Sequence, residues 1–461
     1  MHIDQQLSRR AFLTRGAQLA LAGTAAPFVG SLGWIGEAAA ATATDYKALV
    51  CVFLYGGNDY ANTLPPYDAA GHALYQRYRP TLALGRDALA ATALRPDQAL
   101  PDGREYALAP ALSPLLPLFD GGKMAIVLNV GTLEQPLTKA QYVARSAPIP
   151  PKLFSHNDQQ SFFQASNPEG AETGWGGRIG DMVYAGNGAA ALTCINASGN
   201  AVYVSGRQAI PYTIGGAGPV SLLRESRTLY GSATAAQTLR QLMTEGGQTL
   251  FADDYSATVR RALDTYGRVN GALAGAPADN FPLFPAGETL ADQLKLVARL
   301  ISASADLGVK RQVFFVSLGG WDHHDSLLTK HPAQLARVAA AMRAFYDTTM
   351  SLGVADKVTT FTASDFGRTL SSNGDGSDHG WGAMHWVMGG AVKGRRFYGR
   401  APQIGSNTSD DVGAGRLLPS TSVDQYAATL ASWFGVADGD LTTVLPNLGN
   451  WDRSGWNLGF V

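Results

Sequence analysis

Aspartate and histidine collect in three polar strings, each directly behind an apolar run. The first is Gly56-Gly57-Asn58-Asp59, the second Gly319-Gly320-Trp321-Asp322-His323-His324-Asp325, and the third Ser364-Asp365-Phe366-Gly367-Arg368, followed by Asp378-His379 and His385. Six of the eight histidines lie between His156 and His385, which makes these strings the place to look for chemistry. Carboxylates mixed with neutral imidazoles suit Zn²⁺ or another divalent transition ion. Each string also has a plainer reading. Gly-Gly-Asn-Asp forms turns, and Asp322 or Asp325 can cap a following helix. Adjacent His323 and His324 cannot both face one site from extended backbone, and the Asp-x-His spacing favours His324. His331, just before Pro332, reads as exposed. Asp378-His379 sits in a loop too polar for a core histidine, whereas His385 opens an apolar run and is either structural or supports a ligand.

A fourth string, Phe154-Ser155-His156-Asn157-Asp158, precedes a helix-like stretch. Ser155 there is an N-cap or, beside a metal, a nucleophile whose alkoxide the helix dipole stabilises. Arg368 and Arg178 are either surface ion-pair partners or clamps for an oxyanion through the planar guanidinium.

For these strings to meet, the apolar runs must be neighbours in one sheet. Ala48–Tyr55, Met124–Val130, Gln312–Leu318 and Val358–Ala363 are nearly continuous apolar runs, the pattern of parallel strands covered on both faces. Helical spacing lies between them: Leu290, Leu294, Val297 and Ile301; Leu335, Val338, Met342 and Phe345; Val423, Ala427, Leu430 and Phe434. Alternating strands and helices predict an α/β sandwich, with ligands at the carboxyl ends of the strands. Residues 132–285 are richer in Gly, Ser, Asn and Pro and read as a large excursion that could roof a site. Helical character from Ala236 to Val269 is interrupted at Gly246-Gly247.

Composition narrows the function classes. With 36 Lys plus Arg against 37 Asp plus Glu, the chain has no basic footprint for nucleic acid. At 46% hydrophobic and 16% charged residues it is built for a packed core, not disorder. The two cysteines, Cys51 and Cys194, each lie in an apolar run and read as free and buried. Ser8-Arg9-Arg10-Ala11-Phe12-Leu13, a glycine-diluted apolar stretch and Ala38–Ala41 form a twin-arginine export signal over 1–40, read by the twin-arginine translocase. Cleavage would leave residues 41–461 as a single domain with no membrane span, periplasmic or secreted.

Taken in order, Gly-Gly-Asn-Asp-x-x-Asn-Thr-Leu from Gly56, Ser-His-x-x-x-Gln from Ser155, Gly-Gly-Trp-Asp-x-His from Gly319, Ser-Asp-Phe-Gly-Arg-Thr from Ser364, Asp-His-Gly-Trp from Asp378, Tyr426–Leu430 and Pro446-Asn447-Leu448-Gly449 resemble the exported proteins of domain-of-unknown-function family 1501. The resemblance covers roughly residues 47–450. That family is similar in fold to the alkaline phosphatase and sulfatase superfamily. The resemblance therefore implies a three-layer α/β/α sandwich with a mainly parallel sheet, a divalent metal such as Zn²⁺, and hydrolysis of a small phosphate or sulfate ester. It implies Asp59, Asp322, His324, Asp365 and His379 as metal ligands and Ser155 as nucleophile, to which the guanidinium of Arg368 adds a candidate catalytic clamp for the oxyanion. One departure stands out: the superfamily has Asp-His where this chain has Asp365-Phe366, so one metal site is short of a histidine unless His156 or His385 supplies it. The alternative is a non-catalytic metal-binding or surface-assembly protein with an unknown protein partner.

Replacing Arg9 and Arg10 together by lysine should hold the precursor in the cytoplasm, since the arginine pair is what the export receptor reads. Fractionation showing undiminished mature protein outside the cytoplasm would remove the targeting assignment.

Overall fold

The computed structural model describes residues 45–199, 201–216, 218–222, 228–247 and 249–461; the expected export signal lies outside the described residues. The four apolar runs are strands: β1 (Lys47–Leu54), β2 (Met124–Gly131), β5 (Arg311–Leu318) and β6 (Val358–Ser364). Five more strands join them, β3 (Cys194–Asn196), β4 (Tyr212–Thr213), β9 (Ala383–Gly389), β10 (Phe397–Tyr398) and β11 (Thr421–Ser422). The order is β10-β2-β9-β6-β1-β5-β3-β4, with β11 also on β2. All pairings are parallel except those of β9, which runs antiparallel to both β2 and β6. A separate antiparallel ribbon is formed by β7 (Arg368–Ser372) and β8 (Ser377–His379).

Alternation along β1 builds the two cores. Ala48, Val50, Val52 and Leu54 face the layer of the Thr289–Ser302 and Leu327–Ser351 helices, meeting Leu294, Val297, Val338 and Met342. Leu49, Cys51 and Phe53 face the opposite layer, with Ile179 of the Trp175–Val183 helix and Tyr426 and Leu430 of the Val423–Phe434 helix. This is the expected α/β sandwich on a mainly parallel sheet. The Val423–Phe434 helix starts at a Ser422/Gln425 capping box and stops at Gly435, whose φ of 118° no other residue adopts readily. Cys51 and Cys194 are free and buried, as expected.

Two features were not read from the sequence. The run around Trp386 is a full strand, β9, buried along all seven residues. The 132–285 excursion is also partly core: it supplies β3, β4 and the Trp175–Val183 helix. Its paired helices, Ala233–Thr244 and Leu250–Gly275, break around Gly246-Gly247. The longer one packs Val269 and Leu273 onto the helix layer. Among the described residues no helix is long and apolar enough to cross a membrane.

The parallel register sets Leu54 beside both Leu318 and Ser364, so β1, β5 and β6 end on one line. The loops leaving them then crowd together. A Cβ on Gly56, whose φ is 121°, would sit 2.5 Å from the backbone nitrogen of Asp322. Gly56→Ala should therefore cost about 1–3 kcal/mol in strain alone, with further loss from displaced loops. A denaturation midpoint equal to that of the parent protein would contradict this.

Candidate metal centre

Asp365, the first residue after β6, is the floor of the site, with a fully buried carboxylate. Its Oδ2 accepts from the Gly56 amide at 3.1 Å, Gln160 Nε2 at 2.8 Å and His156 Nδ1 at 2.6 Å. Its Oδ1 is buried and has no partner. His156 opens the His156–Ala165 helix, so it is this helix of the excursion that reaches the strand ends. The bond to Asp365 holds the His156 imidazole above its ordinary pKa.

Three imidazoles face one carboxylate. His324 Nε2 lies 3.0 Å and His379 Nε2 3.2 Å from Asp322 Oδ1, while His156 Nε2 is 3.4 Å from Asp322 Oδ2. Each Nδ1 faces an acceptor: Asp365 for His156, Asp378 Oδ1 at 3.1 Å for His324, and the Phe154 carbonyl at 2.7 Å for His379. A proton on each Nδ1 satisfies those acceptors and leaves every Nε2 as a lone pair turned inward. The Nε2 atoms of His324 and His379 are only 3.0 Å apart, and that of His156 is buried without a hydrogen-bond partner. Facing lone pairs beside a carboxylate repel unless a proton or cation lies among them. Ligand atoms of His156, Asp322 and His379 all fall within 4.8 Å of one another. Imidazoles tied at Nδ1 by carboxylates or carbonyls are the usual surroundings of a protein-bound transition ion, so the donors fit such an ion.

Electrostatics favours an ionised Asp322 and a neutral His379. Burial works against charge on Asp322, but the hydrogen bond and charge of Arg368 hold its pKa below the ordinary value. Burial lowers that of His379. Phe366 fills the position where a histidine was wanting, its ring centroid 4.9 Å from that of His156 and 4.8 Å from that of His379. His156 supplies an imidazole to the cluster. His385 does not: it is buried in β9 against Tyr426 and Thr362, and burial drives its pKa to about 3.

The structure thus brings Asp322, His324, Asp365 and His379 together and keeps Asp59 apart. Asp59 Oδ1 accepts from Arg79 Nη1 at 2.8 Å and the Asn62 amide at 2.9 Å; its Oδ2 accepts from Arg79 Nη2 and Ser377 Oγ, both at 2.7 Å. Contrary to the expected ligand role, it is a helix cap and the partner of a buried arginine. Burial opposes its ionisation, but Arg79 more than offsets this and brings the pKa to about 2. Arg368 departs from the oxyanion role in the same way. Its fully buried guanidinium donates to Asp322 Oδ1, the Gly56 carbonyl and Ser377, which makes it a positioning residue. Arg178 binds the carbonyls of Val444, Thr173 and Ala165. His331 is buried, not exposed: it lies within the Leu327–Ser351 helix, 3.0 Å from Asn58 Oδ1, and burial lowers its pKa to about 3. Asp322 caps nothing, for the next helix has Ser326 at its N-cap.

Ser155 does occupy an N-cap position, but its hydroxyl makes no capping bond to the helix. It donates to Asp158 Oδ2 at 2.9 Å, and Asp158 pairs with Lys152 at 3.4 Å. The flanking residues, Phe154 and His156, both touch the cluster.

A family model described as "Protein of unknown function (DUF1501)" matches residues 46–445, most of the chain. The chain belongs to that family. No curated protein matches it. Among solved structures, the DUF1501 chain is similar to Ps i-CgsB in complex with k-i-k-neocarrahexaose, at TM-score 0.34 and 10% identity over 86% of this chain and 74% of that one. It is also similar to the PsFucS1 sulfatase from Pseudoalteromonas sp., at TM-score 0.35 and 10% identity over 95% of this chain and 77% of that one. Agreement at that level carries no conclusion about the site.

Asp59→Ala should destabilise the fold by about 3–5 kcal/mol, because it strands the Arg79 charge in the core. The Asp59 pKa is lowered in the folded state, so the pair contributes fully above the unfolded value of about 3.9. It is lost as pH falls toward 2. Melting curves should show the gap between variant and parent closing between pH 5 and pH 2. A gap independent of pH would refute the assignment.

Proposed function

We propose that this chain is an exported, metal-dependent hydrolase of phosphate or sulfate esters. The observation that carries the reading is the convergence of three imidazole Nε2 atoms within 3.4 Å of the Asp322 carboxylate. His156, Asp322, His324 and His379 would hold the ion. When bound, a divalent ion there supplies Lewis acidity toward an ester oxygen. Asp365, Asp378 and the Phe154 carbonyl keep the Nδ1 protons in place, so the Nε2 atoms stay available. Arg368 keeps Asp322 ionised and aimed.

Ser155 is the attacking group in this reading. Its hydroxyl already points its proton at Asp158. As Oγ forms a bond to phosphorus or sulfur, the proton passes to the Asp158 carboxylate and the ester oxygen departs, taking a proton from solvent. Water then cleaves the serine ester and frees the inorganic anion. The positive end of the His156–Ala165 helix favours negative charge at Oγ. A non-catalytic metal-binding protein is the second reading, favoured by one fact: the arginine expected to clamp an oxyanion is already engaged by Asp322.

A screen of phosphate and sulfate monoesters with metal-loaded protein tests the activity, and no turnover of either class would sink it. Asp322→Ala and His379→Ala should each lose bound metal. Ser155→Ala should keep its metal, and has no capping bond to forfeit, only the hydrogen bond to Asp158. It should lose activity by several orders of magnitude. A fully active Ser155→Ala protein would remove the serine from the mechanism and leave the metal centre standing.

A further inference from the structure

We propose that the centre takes one divalent ion per chain, held by three imidazoles and one carboxylate with His156 as an indispensable ligand, and that Arg79 provides the positive charge a second ion would bring. The inference rests on the location of the site in the reading above but not on turnover.

Asp59 is closed to metal. Both of its oxygens are engaged twice, by two guanidinium nitrogens, an amide and a hydroxyl, and the pair is all but fully buried. Freeing an oxygen would mean breaking a buried ion pair, which is strongly unfavourable. Asp365 has one free oxygen, Oδ1, and no histidine beside it to share an ion, because residue 366 is phenylalanine. The nearest imidazole, His156, already turns Nδ1 to Asp365 and Nε2 toward Asp322. At Asp365 a second ion would therefore find a single unpartnered carboxylate oxygen, short of the ligand count either Zn²⁺ or Ca²⁺ takes.

Charge balance leads to the same stoichiometry. One divalent ion together with Arg368 offsets the carboxylates of Asp322, Asp365 and Asp378 when the imidazoles are neutral. A second ion would leave the cluster strongly positive, with Asp59 already neutralised by Arg79. The donor types choose the ion. Three nitrogens and one oxygen suit Zn²⁺ or Co²⁺, whereas Ca²⁺ and Mg²⁺ take oxygen ligands.

The test uses the mature chain stripped with a chelator and reloaded with Zn²⁺ or Co²⁺. Elemental analysis should find one ion per chain at saturation, and X-ray absorption on the wild-type protein should count three imidazoles around it. His156→Ala should bind at least tenfold more weakly, and Asp365→Asn about 10–100-fold more weakly through loss of the negative charge that supports the Nδ1 proton. Two tightly held ions per chain would overturn the proposal, as would fewer than three imidazoles or undiminished affinity in a folded His156→Ala protein. If that variant does not fold, the wild-type imidazole count decides. A loaded protein with one ion and three imidazoles that hydrolyses no ester defeats the hydrolase reading alone; an active protein with two ions defeats this proposal alone.

Discussion

The in-register parallel pairing of β1 with β5 and β6 is the constraint from which the rest follows. Because Leu54, Leu318 and Ser364 share one line, the chain leaves three adjacent strands at the same height. The backbone at Gly56 is then close enough to touch both later loops. Its amide reaches Asp365 and its carbonyl reaches Arg368, which holds Asp322. A slip of one residue in either pairing would turn every buried side chain of the strand to the other face and would also part these loops. Core packing and site geometry thus depend on the same register.

Behind the imidazoles a chain of polar contacts runs from buried Arg79 through Asp59, Ser377 and Arg368 out to the exposed Asp322. It joins the helix before Arg79, the first strand loop, the β7–β8 ribbon and the second strand loop. Two guanidiniums alternate with two carboxylates, so the desolvation penalty of each charge is met by a neighbour. Removing any one of the four charged links leaves an unpaired charge next to the others, and the links should behave as a unit rather than additively.

Much of this was legible in the sequence for a simple physical reason. Strands buried on both faces must be apolar throughout, so β1, β2, β5 and β6 stand out, and the polar strings behind them follow from topology. The antiparallel β9 was missed because its run begins with His385 and contains no break that distinguishes a strand from loop residues. Asp59 was misassigned because its partner is invisible locally: Arg79 lies 20 positions away in an ordinary Tyr-Arg-Pro string, and only folding brings the two together. His156 was noted as one of two candidates for the wanting histidine. What separates it from His385 is three-dimensional, a ring between Asp365 and Asp322 in one case and a ring sealed beneath Tyr426 in the other.

Phenylalanine at residue 366 and the placement of His156 are two sides of one packing arrangement. Phe366 lies against both His156 and His379, so an imidazole from the excursion helix lies where a neighbouring aromatic ring supports it. The ring excludes water from one flank of the cluster, which strengthens the Asp365–His156 bond and makes the unpartnered Nε2 of His156 harder to leave without a cation. Arg416 closes the other flank, bonding the His379 carbonyl while lying over the Phe154 ring. Phe154 in turn accepts the His379 Nδ1 proton through its own carbonyl. The helix that brings His156 and Ser155 to the strand ends is therefore fastened on both sides to the loop that brings His379. A change that loosens that helix should disturb ligand and serine together, whereas a change in the Ala233–Thr244 and Leu250–Gly275 pair, which packs on the helix layer, should leave both in place.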